Sequence, residues 1–525
     1  LVLIWQIPDG SPGSLAFMGY TVQPLWADTL SRLFATIFAI MALGGGLFAI
    51  RSATLPELVA AMCYAASAIG VTFAGDLISL FICWELMLVG STVVIWSANT
   101  GAARSAGMRY LMVHLTGGML LLTGIIGHAD AAGSISFEAM RADTWSRWLI
   151  LAGFLVNVAA PPLSAWLPDA YPEASPAGAV FLSAFTTKAA VYALMRGFPG
   201  TDLLVYIGLF MVFYGIAYAL LENDMRRILA YSIVNQVGFM IAGIGIGTHM
   251  AINGAAAHAF VHIIYKSLLF MSAGSVLYMT GRRKCTELGG LYKTMPITTL
   301  CAIIGAISIS GFPLTSGFIS KSMVVEAAAD QQLAVVWFLL IAASAGVFLH
   351  AGIKFPWFVF FHEDSGLRPR DPPTGMRIAM LLFAGLCIGI GVFPATLYAL
   401  LPYPVAYQPY TGDHVVQTLQ LLFSSGLAFF LMLPILRRTL TITLDSDWFY
   451  RRLLPSVSRR LLAIGQPLDA VIRYVTKAAV RNMVEAISRH HAPQGLLARN
   501  WPTGSMVLWV AILLGAYLLA YLLRF

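Results

Sequence analysis

Charge is scarce in this sequence. Of 525 residues only 11% are Asp, Glu, Lys or Arg, whereas 59% are hydrophobic, and the mean hydropathy is +0.79. A soluble domain carries about 25% charged residues. This composition therefore excludes an ordinary soluble domain and indicates a polytopic helical membrane protein. The net charge of +8 comes from loops such as 281–293 and from Arg437 and Arg438, where membrane proteins carry orientation signals. We therefore expect no nucleic-acid partner.

Cysteine is also rare. The five cysteines, at positions 63, 83, 285, 301 and 387, form no CxxC pair and no other metal-ligand spacing, which argues against a disulfide framework and an iron–sulfur site. The sequence also lacks a nucleotide-binding loop and a nucleophile–base arrangement. We therefore expect no cofactor, no metal and no catalytic chemistry in this chain alone.

Long apolar runs are abundant. A membrane span needs about 20 apolar residues, and about fourteen such stretches follow one another. They lie near 29–50, 57–75, 77–98, 108–127, 148–167, 177–196, 203–221, 227–247, 255–279, 295–329 (interrupted), 334–361, 376–402, 415–436 and 504–524. Residues 1–6 resemble the end of a further helix, and the chain opens on Leu1 without the charged start of a signal peptide. We therefore expect the N-terminal spans, residues 1–56, to be incomplete.

One offset recurs along the chain. Asp76 and Asp224 are 148 positions apart, as are His114 and His262, while Pro162 and Pro313 are 151 apart. Three matches in the same order indicate a duplication into units of about five helices, residues 57–196 and 203–361. Because five crossings are an odd number, the second unit would be inverted relative to the first, as in many transporters.

Each unit also carries proline with Ser or Thr in mid-helix, in NVAAPPLSAWLP at 157–168 and SISGFPLTSGFISK at 308–321. Proline removes a backbone donor and clashes with the preceding turn, so we predict that both helices are broken at membrane depth. Unpaired backbone at that depth is tolerated where it is buried in protein or lines a wet cavity. A simple proline kink is the alternative for either helix.

Ionisable side chains lie inside several apolar segments. Glu85 and Lys188 lie near the middle of their segments, and His258, His262 and Lys266 follow at i, i+4 and i+8 on one helix face. A charge at bilayer depth is costly unless it is paired or hydrated, and histidine titrates near neutral pH. We therefore predict a proton relay. The alternatives are lysines that snorkel to the interface and histidines that are satisfied core residues.

Further candidates lie in later helices. Lys321 follows the second proline break by eight residues, and we favour the exit group of the relay over an ordinary helix-end charge. Glu326 lies five residues beyond it. His350 and Lys354 are i and i+4 on another late helix, where a relay role and a plain helix-end role are both open.

Several strings resemble one known family. They are LFICWELM at 80–87, PPLSAWLPDAYPEASP at 161–176, TTKAAVYALMR at 186–196, ENDMRRILAYSIVNQVGFM at 222–240, HAFVHIIYKSLLF at 258–270 and GFPLTSGFISK at 311–321. They resemble the proton-translocating antiporter-like subunits. That family includes the D-type subunit of Mrp-type multisubunit sodium/proton antiporters and relatives in respiratory complex I and membrane-bound hydrogenases. The resemblance covers about residues 25–405, and the strings occur in the family's order.

The resemblance implies two inverted five-helix repeats, a hydrophilic axis across the membrane plane and two half-channels. It assigns the essential carboxylate to Glu85, the central lysine to Lys188, the linking helix to His258, His262 and Lys266, and the lysine of the second broken helix to Lys321. One position departs, because the family usually has a lysine where this chain has Asn157. Glu85 must then find another partner, such as Lys188, or stay protonated for part of the cycle.

The C-terminal part differs from the core. After the C-terminal spans, residues 376–436, the segment 440–500 does not resemble a span. Its residues 467–489 place apolar and charged side chains on opposite sides of a helix, which predicts an amphipathic helix along a membrane or protein surface. That helix either straps neighbouring subunits together or is plain interfacial packing. A terminal transmembrane helix follows at 504–524.

These patterns together predict an all-α, multi-pass protein of the bacterial inner membrane. We expect a proton-translocating subunit of a multisubunit cation/proton antiporter, with sodium as a candidate second ion and other hydrophobic subunits as partners. The alternative is the proton-pumping membrane module of a complex I-like, hydrogenase-like or other energy-coupled complex. A third hypothesis, favoured by Asn157, is a membrane scaffold with vestigial charges.

Overall fold

The structure, a computed structural model, describes residues 1–11, 13–17, 19–434, 445–491 and 502–523. The chain divides into two units, Leu1–Asp447 and Trp448–Phe525. The first unit begins with helix α1 (Val2–Gln6), an antiparallel hairpin of β1 (Leu15–Phe17) and β2 (Tyr20–Val22), and helix α2 (Thr29–Ala49). The hairpin is an element that the all-helical prediction does not include.

Two sets of helices follow α2. The first set comprises α3 (Leu55–Phe73), α4 (Leu77–Trp96), α5 (Gly101–Ala132), α6 (Trp145–Asn157), α7 (Trp166–Ala170), α8 (Pro176–Leu182) and α9 (Thr186–Gly197). The second set comprises α10 (Asp202–Leu221), α11 (Met225–Ile246), α12 (His249–Thr280), α13 (Pro296–Ser310), α14 (Ser316–Asp330) and α15 (Ala334–Val347). Helix α15 continues as π-helix through Phe348–Lys354 and Trp357–Phe361. Then come α16 (Thr374–Val392), α17 (Pro394–Tyr398) and α18 (Gly412–Leu431).

Most of these helices have the length of a membrane span. Within the described residues, 12 helical segments are long and apolar enough to cross a membrane. Two further elements are interrupted: α6 ends at Asn157 before α7 begins at Trp166, and α13 ends at Ser310 before α14 begins at Ser316. Together they confirm the prediction of about fourteen membrane elements. Both proline-containing helices are broken and not kinked.

Helix starts in the two sets fall at the same offset. Helices α5 and α12 both have 32 residues, and each is capped by a threonine, Thr100 or Thr248, that accepts a bond from an N–H of the first turn. Helices α4 and α11 are capped in the same way by Asp76 and Asp224. Such side chains satisfy N–H groups that a helix start leaves unpaired. The offset of 148 positions seen in the sequence therefore recurs in the helix starts.

The loops that follow α5 and α12 also match. Isolated β-bridges join Asp76 to Ser136 and Asp224 to Lys284. Gly133 and Gly281, which end the two helices, have φ of 65° and 67°. Side chains with a Cβ rarely adopt that left-handed conformation, so glycine is suited to both helix ends.

The interior of the first unit is formed by α11 and α12. In the most apolar 18-residue stretch of each helix, 100% of the residues of α11 and 94% of those of α12 are buried, against 39% for α10. Helix α10 packs closely on α11, because a Cβ at Gly208 or Gly215 would lie 2.5 or 2.6 Å from a backbone nitrogen of α11. Polar residues of α11 and α12 are therefore enclosed by other helices of the chain.

The second unit contains two long helices. A π-helical turn, Phe449–Leu453, leads into α19 (Leu454–His491), which has 38 residues. Helix α19 lies where the amphipathic helix was predicted, although residues 440–444 and 492–500 of that segment lie outside the described residues. Helix α20 (Thr503–Leu522) lies where the terminal span was predicted. Residues 435 and 436 of the predicted C-terminal spans, and residue 524, are likewise outside the described part.

Candidate functional site

Helix α12 carries a row of polar side chains through the interior. His258, His262 and Lys266 are fully buried and follow one another at one-turn intervals, because four residues advance a helix by about 6 Å. The ring centroids of the two histidines lie 6.2 Å apart. The structure therefore brings together the three residues that the sequence places on one face.

His258 joins three helices. Its Nε2 lies 3.1 Å from Oε1 of Gln236 on α11, and its Nδ1 lies 3.1 Å from Oγ of Ser320 on α14. The hydroxyl of Tyr265 also donates to Oε1 of Gln236, at 3.2 Å. Both ring nitrogens of His258 are thus engaged with polar side chains of neighbouring helices.

His262 and Lys266 differ from His258. Among the described residues, neither ring nitrogen of His262 nor Nζ of Lys266 has a hydrogen-bond partner. The ring of Tyr265 meets that of His262 edge-on, with centroids 5.3 Å apart. Buried polar groups in a protein are nearly always paired, and ionisable groups of this kind inside a membrane are the groups that mark an ion or proton path.

Lys188 lies beside this row. Helix α8 ends at Leu182, and α9 begins at Thr186, so Lys188 lies just after an irregular turn that the sequence did not predict. Its Nζ donates to the carbonyl of Ser183 at 2.8 Å and to Oγ1 of Thr187 at 3.0 Å. Its charge interacts with His258, His262 and Lys266. Lys188 therefore belongs to the same electrostatic cluster as the row on α12.

Lys321 lies at the second broken helix. It is buried on α14, and its Nζ donates to the carbonyl of Ile309 at 3.4 Å, next to the last residue of α13. The ammonium also lies 5.0 Å from the ring centroid of Phe239. Because Lys321 interacts electrostatically with His258 and with His350, it connects the row on α12 to the last helix of the second set.

His350 and Lys354 lie in the π-helical continuation of α15. Nδ1 of His350 lies 2.9 Å from the carbonyl of Gly346, and its charge interacts with Lys266, Lys321 and Lys354. Nζ of Lys354 donates to three carbonyls at the end of α10, those of Ala219, Leu220 and Glu222, at 3.1, 2.5 and 2.6 Å. Lys354 therefore caps the negative end of a helix dipole while lying at the edge of the cluster.

Glu326 is not part of this cluster. It is exposed near the end of α14, where it interacts electrostatically with Tyr407. Glu326 thus lies on the surface, away from the buried row.

Glu85 lies apart from the cluster as well. It is half-buried on α4, and a methyl group at Gly118 of α5 would collide with its Oε1. Within the described residues, Oε1 of Glu85 has no hydrogen-bond partner. Nζ of Lys188 bonds Ser183 and Thr187 instead, so the pair between Glu85 and Lys188 that the sequence left open is not formed.

His114 and Asn157 meet between α5 and α6. Nδ1 of His114 lies 2.8 Å from Oδ1 of Asn157. The imidazole is enclosed by the rings of Tyr110 and Trp166, with centroids 4.2 and 4.4 Å away. The position where a lysine was expected thus holds a neutral amide bonded to a buried histidine.

Two partners of the cluster were missed in the sequence. Gln236 and Ser320 contact His258, yet neither was selected as a candidate. A signal exists for Gln236, because it is an amide in the middle of the apolar segment 227–247, and polar residues inside membrane segments are frequently functional. Ser320 carries no such signal, since serine is common in membrane helices and near proline breaks.

The fold and the cluster define a class of protein. A multi-pass integral membrane protein that buries several lysines and histidines together, next to broken helices, has the arrangement found in ion and proton transporters. The family of NADH:quinone oxidoreductase/Mrp antiporter transmembrane proteins matches residues 74–348, which is more than half of the chain. The chain belongs to this family, which confirms the resemblance found in the sequence.

Individual proteins agree with this family. The probable A/B subunit of the K⁺/H⁺ antiporter of Rhizobium meliloti (strain 1021) is 30% identical over 397 residues, covering 70% of this chain and 40% of that protein. The D subunit of the Na⁺/H⁺ antiporter of Alkalihalophilus pseudofirmus is 33% identical over 279 residues, covering 49% of this chain and 56% of that protein. The chain thus spans about half the length of these curated relatives.

A solved structure shares the fold. A chain of the membrane-bound sulfane sulfur reductase, an archaeal respiratory membrane complex, superposes with a TM-score of 0.69 at 24% identity, covering 96% of this chain and 91% of that chain. At this identity the likeness concerns the fold alone.

Proposed function

We propose that this chain is the proton-translocating, antiporter-like subunit of a multisubunit cation/proton antiporter in a bacterial inner membrane. The observation that carries the proposal is the buried cluster of Lys188, His258, His262 and Lys266. Ionisable groups at membrane depth are costly, so a chain that keeps several of them within electrostatic range of one another has a use for them. The two relatives described above are named as K⁺/H⁺ and Na⁺/H⁺ antiporter subunits, which supports this proposal.

The proton path proposed here runs along α12 and ends near α15. Lys188 exchanges protons with His262 and Lys266, and His258 passes them towards Lys321. A lysine held among other titratable groups responds to their charge, since each added charge changes the proton affinity of the next group. His350 forms the continuation of this path towards Lys354.

The chain is proposed to contain two related units, residues 57–196 and 203–361, in inverted orientation. The support is the shared offset of the helix starts and caps, together with one broken helix in each unit. An odd number of crossings per unit inverts the second one. The flanking parts are then the N-terminal spans at 1–56, the C-terminal spans at 376–436, the amphipathic helix within 440–500 and the terminal helix at 504–524.

The exposed face of α4 around Glu85 is suited to contact a partner subunit. Ile82, Leu86 and Val89 on the same helix are each more than half exposed, and the residue Glu85 lies half-buried among them. A carboxylate facing lipid is unfavourable. We infer that another membrane subunit, with a polar or cationic side chain opposite Glu85, covers this face of α4.

The test uses everted membrane vesicles that contain the intact complex and a pH-sensitive dye. Lys188→Ala and Lys266→Ala should abolish the proton movement that follows addition of sodium or potassium salts. Ser272→Ala, which removes a hydroxyl on α12 bonded to the carbonyl of Leu268, is the matched control and should retain it. Comparing the two salts identifies the transported cation.

Assembly is checked by purifying each variant complex. If Lys266→Ala and Glu85→Gln both assemble and both transport normally, the chain is a scaffold with vestigial charges and the proposal is wrong.

A second candidate function is the proton-pumping membrane module of a redox complex. The observation that favours it is the family that matches residues 74–348, whose description names NADH:quinone oxidoreductase beside Mrp antiporters. The two candidates differ in their partners, not in the residues of the cluster. Copurification of the native complex with iron–sulfur or hydrogenase-type subunits would favour the redox module, and their absence from an active complex would exclude it.

A further inference from the structure

Glu85 and His114 lie along one seam between α4 and α5. The carboxyl of Glu85 contacts α5 at Gly118, where a Cβ would collide with Oε1. His114 lies one turn before Gly118 on the same face of α5, about 6 Å away along the helix axis. His114 also faces α4, because it lines a crevice together with Trp84 and Leu88 of that helix. The carboxyl of Glu85 and the imidazole therefore lie on the same pair of helices, about one turn apart.

The hydrogen bond of His114 sets the state of its ring. Because an amide oxygen only accepts hydrogen bonds, Oδ1 of Asn157 at 2.8 Å selects the tautomer with the proton on Nδ1. Nε2 is buried and has no protein hydrogen-bond partner among the described residues. Nε2 is therefore the atom that can take up a further proton.

A line of hydroxyl groups leads from His114 towards Lys188. Tyr110, His114, Asn157 and Thr186 line one narrow crevice, and the hydroxyl of Tyr110 lies 3.3 Å from Oγ1 of Thr186. Oγ1 of the next residue, Thr187, accepts a hydrogen bond from Nζ of Lys188 at 3.0 Å. The hydroxyls of Tyr110, Thr186 and Thr187 thus lie between the imidazole and the first lysine of the cluster.

The other charges around this seam offset each other. Arg109 on α5 forms a bidentate ion pair with Asp169 on α7, at 2.7 and 2.8 Å. Tyr110 is the further titratable group that contacts His114. The protonation state of His114 would therefore respond to the protonation of Glu85 on α4 and of Lys188 on α9.

We propose that His114 exchanges protons with Glu85, that Asn157 positions its ring, and that Tyr110 and Thr186 link it to Lys188. Neither Oε1 of Glu85 nor Nε2 of His114 has a hydrogen-bond partner among the described residues, so the flexible side chain of Glu85 first turns towards the ring. The O–H bond of protonated Glu85 then breaks, its proton binds Nε2 of His114, and a carboxylate and an imidazolium result. The imidazolium then returns to the neutral form by passing a proton along the hydroxyls towards Lys188. This inference rests on the proposed function. It names His114 as the proton carrier of the first unit, in which position 157 is uncharged.

The test compares His114→Gln with His114→Lys in vesicles that contain the intact complex. Glutamine still donates a hydrogen bond to Asn157 but carries no proton, so the initial rate of proton transport should fall by about tenfold or more. Lysine should restore part of the rate and move the pH dependence to higher pH, because it holds its proton more tightly than histidine. His128→Gln, on the same helix, is the control and should keep the wild-type rate.

A second variant separates carrying a proton from packing. His114→Gln combined with Asn157→Lys moves the titratable group to the neighbouring helix, and transport should recover relative to His114→Gln alone. Equal losses in His114→Gln and His114→Lys, with an unchanged pH dependence, would show a packing role and overturn the inference.

The inference also fails, while the proposed function stands, if His114→Gln transports normally but Lys188→Ala and Lys266→Ala do not. If those two lysine variants transport normally as well, the proposed function itself fails. Size-exclusion chromatography of each purified complex confirms that the compared variants are assembled.

Discussion

Nε2 of His258 lies 3.1 Å from Oε1 of Gln236. The amide oxygen accepts this bond, so Nε2 carries the ring proton and Nδ1 is left to accept from the hydroxyl of Ser320, 3.1 Å away. Nε2 of Gln236 donates to Oδ1 of Asn235, which fits the same orientation of the amide. One glutamine therefore selects the tautomer of the histidine at the end of the buried row.

Replacing Gln236 should impair transport without affecting assembly. In Gln236→Leu the ring of His258 loses the acceptor that selects its tautomer, and proton transfer should slow by about tenfold or more. The measurement is the initial rate of proton movement in vesicles. Ser272→Ala provides the comparison for a buried polar deletion elsewhere in the core, and a normal rate in Gln236→Leu would show that the tautomer is unimportant.

Removing the charge of Lys266 should stabilise the protein while stopping transport. Its Nζ is fully buried and lacks a hydrogen-bond partner among the described residues, which costs about 1–3 kcal/mol or more. Methionine has a similar length and no charge, so Lys266→Met should raise the melting temperature of the purified complex. A lower melting temperature would mean that Nζ has a stabilising contact.

Lys354 should behave in the opposite way. Its Nζ bonds three carbonyls at the end of α10, so Lys354→Met should lower the free energy of unfolding by about 1–2 kcal/mol. Lys354→Arg keeps the charge and should retain most of the stability that Lys354→Met loses. Thermal melting of the purified complex distinguishes the helix-end role of Lys354 from the relay role, both of which the sequence left open. Unchanged melting together with lost transport would assign Lys354 to the relay.

Gly118 should be sensitive to the smallest addition. A Cβ there collides with Oε1 of Glu85, the far end of a flexible side chain, so Gly118→Ala should displace the carboxyl at little cost in stability. Transport should fall, while the melting temperature should change little. Gly385→Ala is the matched control, because a Cβ at Gly385 meets no atom within 4 Å. Equal behaviour of the two alanine variants would contradict the contact with Glu85.

The local features of this fold were predictable from sequence. Span positions follow from apolar length, and both helix breaks follow from Pro162 and Pro313, because proline removes a backbone donor wherever the chain places it. The aspartates at 76 and 224 likewise lie where helices start, since an N-cap acts within one turn. These effects depend only on neighbours along the chain.

The composition of the cluster was only partly predictable. The stacking of His258, His262 and Lys266 follows from the helical repeat, but the contacts of His258 with Gln236 and Ser320 depend on how α11 and α14 pack against α12. No spacing within one helix contains that information. The interruption before Lys188 and the π-helical form of 348–354 were missed for the same reason, because tertiary packing overrides local helical preference there.

Sequence by itself determined that this chain is a multi-pass helical membrane protein with ionisable residues inside its spans, because length, apolarity and helical periodicity are properties of consecutive residues. Tertiary structure alone decided which of those residues meet. It placed Lys188 beside α12, put Glu326 on the surface, and left Glu85 against Gly118 instead of beside a lysine. Distances between helices are determined by side-chain packing across the whole chain, which spacing along the sequence does not encode.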